Sequence, residues 1–316
     1  MVDNDQKPIL IICGPTASGK SALALDVARQ FNGLIINADS MQIYRQLRIL
    51  TSRPTTIEET QIPHRLFGIA DLNDVFSAGR WRDLAVREIE QAHIDGILPI
   101  ICGGTGLYIK ALMEGLSYIP PIPDKLREQI RLKIHKFGNG SAYRELMQRD
   151  PKTAARLNPG DTQRIARALE VIEASGRSIS EWQQIDAKRV SNDWQFWIIL
   201  LAPERKELNS CIEIRFLKML ELGALDEVAS IKDFSGDLPL LKAIGVNELQ
   251  NYLNGNLRLS EAIEQVQTAT RKLAKRQTTW FKNQIVADLT INSQYSERFR
   301  DKIFSFIRLK VLTLPS

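Results

Sequence analysis

The sequence predicts an α/β fold, a parallel sheet flanked by helices with an inserted all-helical domain, and three observations carry that expectation. Apolar strand-like runs alternate with helix-period segments through the first third of the chain. The first such run, Pro8–Cys13, leads directly into GPTASGKS, which fits the G-x-x-x-x-G-K-[ST] phosphate loop. From about position 124 to about 193 the pattern is helical and charged, without a convincing strand. The core is therefore expected to be P-loop NTPase-like, formed by 1–118 and 194–316, with 119–193 as the insertion.

Each element follows from its run of residues. Pro8–Cys13 is the first strand, Leu34–Ala38 the second, Arg65–Ile69 a third and Ile97–Gly104 the next, with helices expected over Lys20–Phe31, Ser77–Asp95 and after Thr105. Tyr118–Asp124 holds Pro120, Pro121 and Pro123, a stiff turn into the insertion. Trp194–Ala202 returns to strand character. Long helices are expected over Glu204–Val228 and Ser260–Gln284, and Ala287–Ile291 reads as an edge strand.

The phosphate loop has a direct chemical reading. In Gly14, Pro15, Thr16, Ala17, Ser18 and Gly19 the glycines let successive N–H groups turn inward, Lys20 adds a positive charge, and Ser21 offers a hydroxyl to Mg²⁺. The helix beginning there adds its positive dipole end. Ligands of such sheets gather outside the carboxyl ends of the strands, so two further exits matter. One is NADSMQIY, containing Asp39; the other is CGGTGLY, containing Thr105. Alone, Asp39 could be a turn residue and Thr105 a helix N-cap. Converging on one edge, they read as a site.

Composition narrows the classes. Of 316 residues, 44% are hydrophobic and 25% charged, enough for a substantial core in more than one domain. No apolar run approaches the ~20 residues that span a bilayer, and MVDNDQKP lacks the order of a signal peptide, so a cytoplasmic protein without membrane partners is expected. Cys13, Cys102 and Cys211, and likewise His64, His93 and His135, are too scattered for a disulfide framework or a zinc site. The net charge is +5, and Gln265–Lys282 carries Arg271, Lys272, Lys275, Arg276 and Lys282 with no acid. Such a stripe is either a solvated face or the footprint of a phosphate backbone. Trp280 and Phe281 after it read as core anchors in preference to base-stacking platforms.

A kinase needs an acid near its metal, yet Ile97–Cys102 ends in Gly-Gly-Thr, and no Arg-rich lid is evident. A large polyanionic substrate fits the basic helix better. GPTASGKS, ADSMQIY, PHRL at Pro63–Leu66, GGTGLY at Gly103–Tyr108, DTQRIARALEV at Asp161–Val171 and TRKLAKRQTTWF at Thr270–Phe281 together resemble the successive signatures of tRNA dimethylallyltransferases (tRNA isopentenyltransferases). The match runs in order from Gly14 to Phe281.

That resemblance implies transfer of a dimethylallyl group from dimethylallyl diphosphate to the N6 amine of the adenosine 3′ of the anticodon in tRNA, by a Mg²⁺-dependent and expectedly monomeric enzyme. It implies that Asp39 takes the amine proton, that Thr105 contacts the adenosine, and that Lys20 and Arg215 stabilise the leaving diphosphate. Asp39, Ser40, Met41 and Gln42 would receive the target base, turned out of its loop. Further tRNA contacts are implied for Arg127; for Gln163, Arg164, Ile165, Ala166 and Arg167; for Lys242, Ala243, Ile244, Gly245, Val246 and Asn247; and for Lys275, Arg276, Gln277, Thr278, Thr279, Trp280, Phe281 and Lys282.

The chain departs from the family pattern at LTSRP (Leu50–Pro54), at Val246 and at Cys211, where an aromatic residue and an arginine are common. The rival readings are an adenylate isopentenyltransferase acting on free nucleotides, a P-loop kinase acting on a nucleotide or RNA, and a non-catalytic RNA-binding module. The last should show a broken phosphate loop or a missing base, and neither defect is present.

Overall fold

The computed structural model describes residues 6–117, 119–184, 191–234 and 238–312; Tyr118 and the stretch 185–190 of the expected insertion lie outside them. Among the described residues six strands form one sheet: β1 (Lys7–Cys13), β2 (Gly33–Asn37), β3 (His64–Arg65), β4 (Leu98–Gly103), β5 (Trp194–Leu201) and β6 (Leu289–Ile291). Every pairing is parallel, in the order β3-β2-β4-β1-β5-β6. The central strands are covered on both faces, which is why Ile9–Cys13, Leu34–Ile36 and Leu98–Cys102 are continuously apolar. β1 lies between β4 and β5, with Cys13 level with Gly103 and Leu200, so the phosphate loop leaves the middle of the sheet.

The chain divides into two compact units, Met1–Met113 with Ser191–Ser316, and Glu114–Val190; the sequence had drawn the divisions at 118/119 and 193/194. In the first unit, α1 (Lys20–Phe31), α2 (Thr56–Gln61), α3 (Ala78–Ile94) and α4 (Gly106–Glu114) connect β1 to β4 and lead out of it. Leu10, Ile12, Leu23, Val27, Ile100 and Ile199 are buried together on one face of the sheet. On the other, fully buried Trp81 stacks on Tyr108 at 4.6 Å and donates from its indole N–H to the Asn37 carbonyl at 2.7 Å.

The second unit contains α5 (Asp124–Phe137), α6 (Asn139–Arg149), α7 (Pro151–Ala154), α8 (Thr162–Ser175) and α9 (Ile179–Trp182), closed over Ile130, Ile134, Leu146, Ile165 and Leu169. The chain then returns to the first unit through β5, α10 (Arg205–Glu221), α11 (Ala224–Ser230), α12 (Val246–Leu253), α13 (Leu259–Gln284), β6 and α14 (Arg300–Phe306).

Two expectations are corrected. The strand expected over Arg65–Ile69 is only His64–Arg65, because Leu66 at φ 64° turns the chain out of the extended conformation. The single helix expected over Glu204–Val228 is two, parted at Gly223, whose φ of 101° is open to glycine at no steric cost. Two elements were not foreseen. α2 is announced only by a capping box between Thr55 and Glu58, and α14 with the π-helical turn Ile307–Val311 buries Ile303, Ile307 and Val311 against the sheet core.

Candidate active site

The phosphate loop leaves β1 and closes onto α1. Lys20 folds back over it, donating from Nζ to the Pro15 carbonyl at 2.7 Å, and the Ser18 carbonyl accepts the Tyr295 N–H at 3.1 Å. Tyr295 also donates its hydroxyl to Asp26 of α1 at 2.7 Å, and Arg300 holds the same carboxylate at 2.9 and 3.0 Å. The segment after β6 thus braces the loop from beneath, a role with no motif to announce it.

Beside the loop, the exits of β2 and β4 meet. Asn37, fully buried at the end of β2, accepts the Asp39 N–H through Oδ1 at 2.8 Å and donates through Nδ2 to the Asp39 and Leu66 carbonyls, each at 3.0 Å. Asp39 in turn accepts the Met41 N–H at 2.9 Å. Thr105 Oγ1 accepts the Ser40 N–H at 3.0 Å, and the Thr105 N–H donates to the Ala38 carbonyl at 3.0 Å. Asn37 is a positioning residue the motif reading passed over. A lone amide ending an apolar strand was its one sequence signal.

From α10, Arg215 Nη2 donates to the Thr16 hydroxyl at 2.8 Å. Burial pushes the Arg215 and Lys20 cations below their ordinary pKa values, and for both the nearby Asp39 carboxylate opposes that shift; for Lys20, Cys102 opposes it as well. The two cations also repel each other. The arrangement sets two buried cations beside the Asp39 carboxylate, suited to a compact polyanion.

A cavity of about 910 Å³ takes in these groups; its lining includes Thr16, Lys20, Ser21, Asp39, Thr105 and Arg215. The same cavity is bordered by Cys211, whose thiol bonds the Gln294 side-chain carbonyl, and by Lys242, Ala243 and Ile244. Gln42 reaches the LTSRP stretch, donating to the Thr51 and Ser52 carbonyls at 2.8 and 2.9 Å. From α11, Glu227 accepts the N–H groups of Arg48, Ile49 and Leu50 at 2.7–3.0 Å, tying that stretch to the C-terminal half.

Burial sorts the expected RNA contacts. In α8, Gln163 and Arg164 are exposed, but Ile165 and Ala166 are buried in their own unit's core, so those two are corrected to core residues. Arg164 pairs with Asp161 at 3.4 Å, Arg167 with Glu170 at 3.5 Å, and Arg127 with Asp124 at 3.0 Å. Val246 and Phe281 are likewise core, the latter as expected of an anchor, while Gly245 is covered by Leu50 and Asn247 is exposed. On α13, Lys275, Arg276, Thr279 and Lys282 are exposed; Thr278 turns its hydroxyl to the Ala274 carbonyl, and Trp280 lays its ring over Gly106. Arg271 is spoken for by Glu213 at 3.0 Å, a counter-charge from another helix that the local sequence could not show. Among the described residues, Lys272, Lys275 and Arg276 have no carboxylate partner.

No group of three or more His, Cys, Asp or Glu side chains that could hold a metal occurs among the described residues. The Ser21 hydroxyl on the cavity wall nevertheless suits Mg²⁺, which takes few protein oxygens and completes its shell with substrate phosphates and water.

Fold and site define a phosphate-loop α/β protein that brings Lys20, Arg215 and Asp39 to one cavity. The chain belongs to the IPP transferase family, whose model matches residues 42–284. It is 47% identical over 283 residues to a tRNA dimethylallyltransferase of Rhodospirillum centenum, covering 89% of this chain and 90% of that protein. A tRNA dimethylallyltransferase of Paramagnetospirillum magneticum is 45% identical over 313 residues, covering 98% of each. Among solved structures, the tRNA isopentenylpyrophosphate transferase of Bacillus halodurans is similar with a TM-score of 0.69 at 33% identity, covering 97% of both chains. Crystallographic snapshots of a eukaryotic dimethylallyltransferase acting on tRNA match with a TM-score of 0.79 at 27% identity, covering 95% of this chain and 78% of that one.

Proposed function

We propose that this enzyme transfers a dimethylallyl group from dimethylallyl diphosphate to the N6 amine of the adenosine 3′-adjacent to the anticodon in tRNA, releasing diphosphate. The observation that carries the reading is the convergence of Lys20, Arg215, Asp39 and Thr105 on one cavity. Lys20, Arg215 and the loop's N–H groups stabilise the charge that grows on the departing diphosphate. Asp39 accepts the proton lost by the weakly nucleophilic amine, and Asn37 holds it in place. Thr105 aligns the adenosine. Mg²⁺, held in part by Ser21, supplies further neutralisation of the diphosphate when bound.

The tRNA is gripped by the exposed cations of α13, with exposed members of α8 and Asn247 as further contacts. A free-nucleotide substrate would leave that stripe without a task. Phosphoryl transfer is disfavoured because β4 ends in glycines and Thr105 where an acid would anchor the kinase metal. The enzyme acts as a monomer in the cytoplasm; among the described residues no helix is long and apolar enough to cross a membrane.

The test is to incubate the protein with dimethylallyl diphosphate, Mg²⁺ and unmodified tRNA and to analyse the nucleosides by mass. Prenylated adenosine with released diphosphate supports the reading. ATP-dependent phosphorylation of RNA without it overturns the reading.

A further inference from the structure

Gln277 lies within the α13 segment whose resemblance implies RNA contact, but its side chain faces the other way. Its Oε1 accepts the Thr16 N–H at 2.8 Å and its Nε2 donates to the Gly104 carbonyl at 2.9 Å. Only one orientation of the amide satisfies both partners, so a single side chain ties the phosphate loop to the exit of β4. Gly104 makes room for it, since a Cβ there would stand 2.4 Å from Gln277 Nε2. Thr16 is held as well through its hydroxyl, by Arg215. Three residues further along α13, the Trp280 ring covers Gly106, so the helix is keyed to the same strand exit twice.

We infer that Gln277 is a positioning residue for diphosphate and not a contact for tRNA: it sets the spacing between the phosphate loop and the Thr105 exit. Two residues away on the solvent face, Lys275 carries an RNA-facing charge. One helix therefore serves both substrates, with opposite faces assigned to each. This deepens the proposed function and rests on it for the identity of the donor, but the diphosphate assignment can be tested without any prenyl transfer.

The experiment compares Gln277→Met, which keeps the packing volume and removes both bonds, with Gln277→Glu, which keeps an acceptor for Thr16 N–H but loses the donor to Gly104 and brings negative charge to the loop. Lys275→Gln is the outer-face control. Inorganic diphosphate with Mg²⁺ is titrated by calorimetry, tRNA affinity is measured across a salt series, and thermal melting checks the fold. Gln277→Met is expected to weaken diphosphate about tenfold, the scale of two lost neutral hydrogen bonds, with Gln277→Glu weakening it further. Both should keep tRNA affinity within about twofold and leave its salt slope unchanged, with a raised KM for the donor and an unchanged KM for tRNA in the full reaction. Lys275→Gln should do the reverse. Unaltered diphosphate affinity in both folded Gln277 variants, or a loss confined to tRNA, overturns the inference. Failure of the parent protein to prenylate tRNA would overturn the proposed function while leaving the diphosphate comparison decisive for Gln277.

Discussion

Arg215 donates to the Thr16 hydroxyl at 2.8 Å, joining residues 199 positions apart so that α10 delivers its cation to the lip of the phosphate loop. The contact aims the guanidinium at the space over the loop that a diphosphate would enter. Arg215→Ala is expected to slow single-turnover prenyl transfer at least 10²-fold, on the scale of removing one oxyanion-stabilising donor. A few-fold change would show that the guanidinium only steadies Thr16.

Cys211 precedes Arg215 by one helical turn and borders the same cavity, half-buried. Cys211→Arg should therefore be tolerated, with a melting temperature near the parent's, and should tighten diphosphate binding by adding a further cation beside Arg215. A large drop in melting temperature would place Cys211 in a packed environment that cannot open.

Asp39→Asn retains Oδ1 as acceptor for the Met41 N–H, so the local turn should survive while the proton acceptor is lost. Transfer is expected to fall roughly 10²–10⁴-fold with tRNA and diphosphate affinities little changed. Rapid-quench single-turnover rates within a few-fold of the parent would reduce Asp39 to a turn residue.

The stripe on α13 should not behave uniformly. Removing the charge of Lys275 or Arg276 should lower the salt slope of tRNA binding by roughly 0.7 per contact, the single-strand value. Arg271→Gln should do less, because Glu213 already neutralises that guanidinium. Equal slopes for all three variants would contradict the pairing.

Gly103 and Gly104 should separate by what their missing Cβ would meet. At Gly103 it would be the Ala38 carbonyl oxygen at 2.1 Å, rigid backbone, so Gly103→Ala should destabilise by about 1–3 kcal/mol or more in chemical denaturation. At Gly104 it would be the movable end of Gln277, so Gly104→Ala should fold and instead weaken diphosphate.

His93 donates from Nε2 to the Pro8 carbonyl at 3.0 Å, and His64 from Nδ1 to the Ile62 carbonyl at 2.8 Å. Burial holds both below their ordinary value of 6.5 despite those carbonyls. The unfolded chain therefore binds protons that the fold refuses, so this contribution is complete above pH 6.5 and is lost as pH falls through the folded values. Melting temperature should rise with pH towards 6.5, and His93→Gln should flatten part of that slope. An unchanged slope would mean His93 protonates without cost.

The sequence alone determined the phosphate loop, the apolar strands and the loaded exits at Asp39 and Thr105, because each is written in neighbouring residues. A glycine spacing, a continuous apolar run or a strand-to-helix turn needs only local backbone geometry to be recognised. The expected strand at Arg65–Ile69 and the single helix over Glu204–Val228 failed where one residue, Leu66 or Gly223, took a positive φ within an otherwise regular pattern. Tertiary structure alone decided that Arg215 meets Thr16, that Gln277 faces Thr16 and Gly104, that Glu213 claims Arg271, and that Ile165, Ala166 and Val246 turn inward. Those outcomes depend on which helix faces meet across as many as 261 positions of chain, and a side chain's partner at that range leaves no mark on the residues beside it.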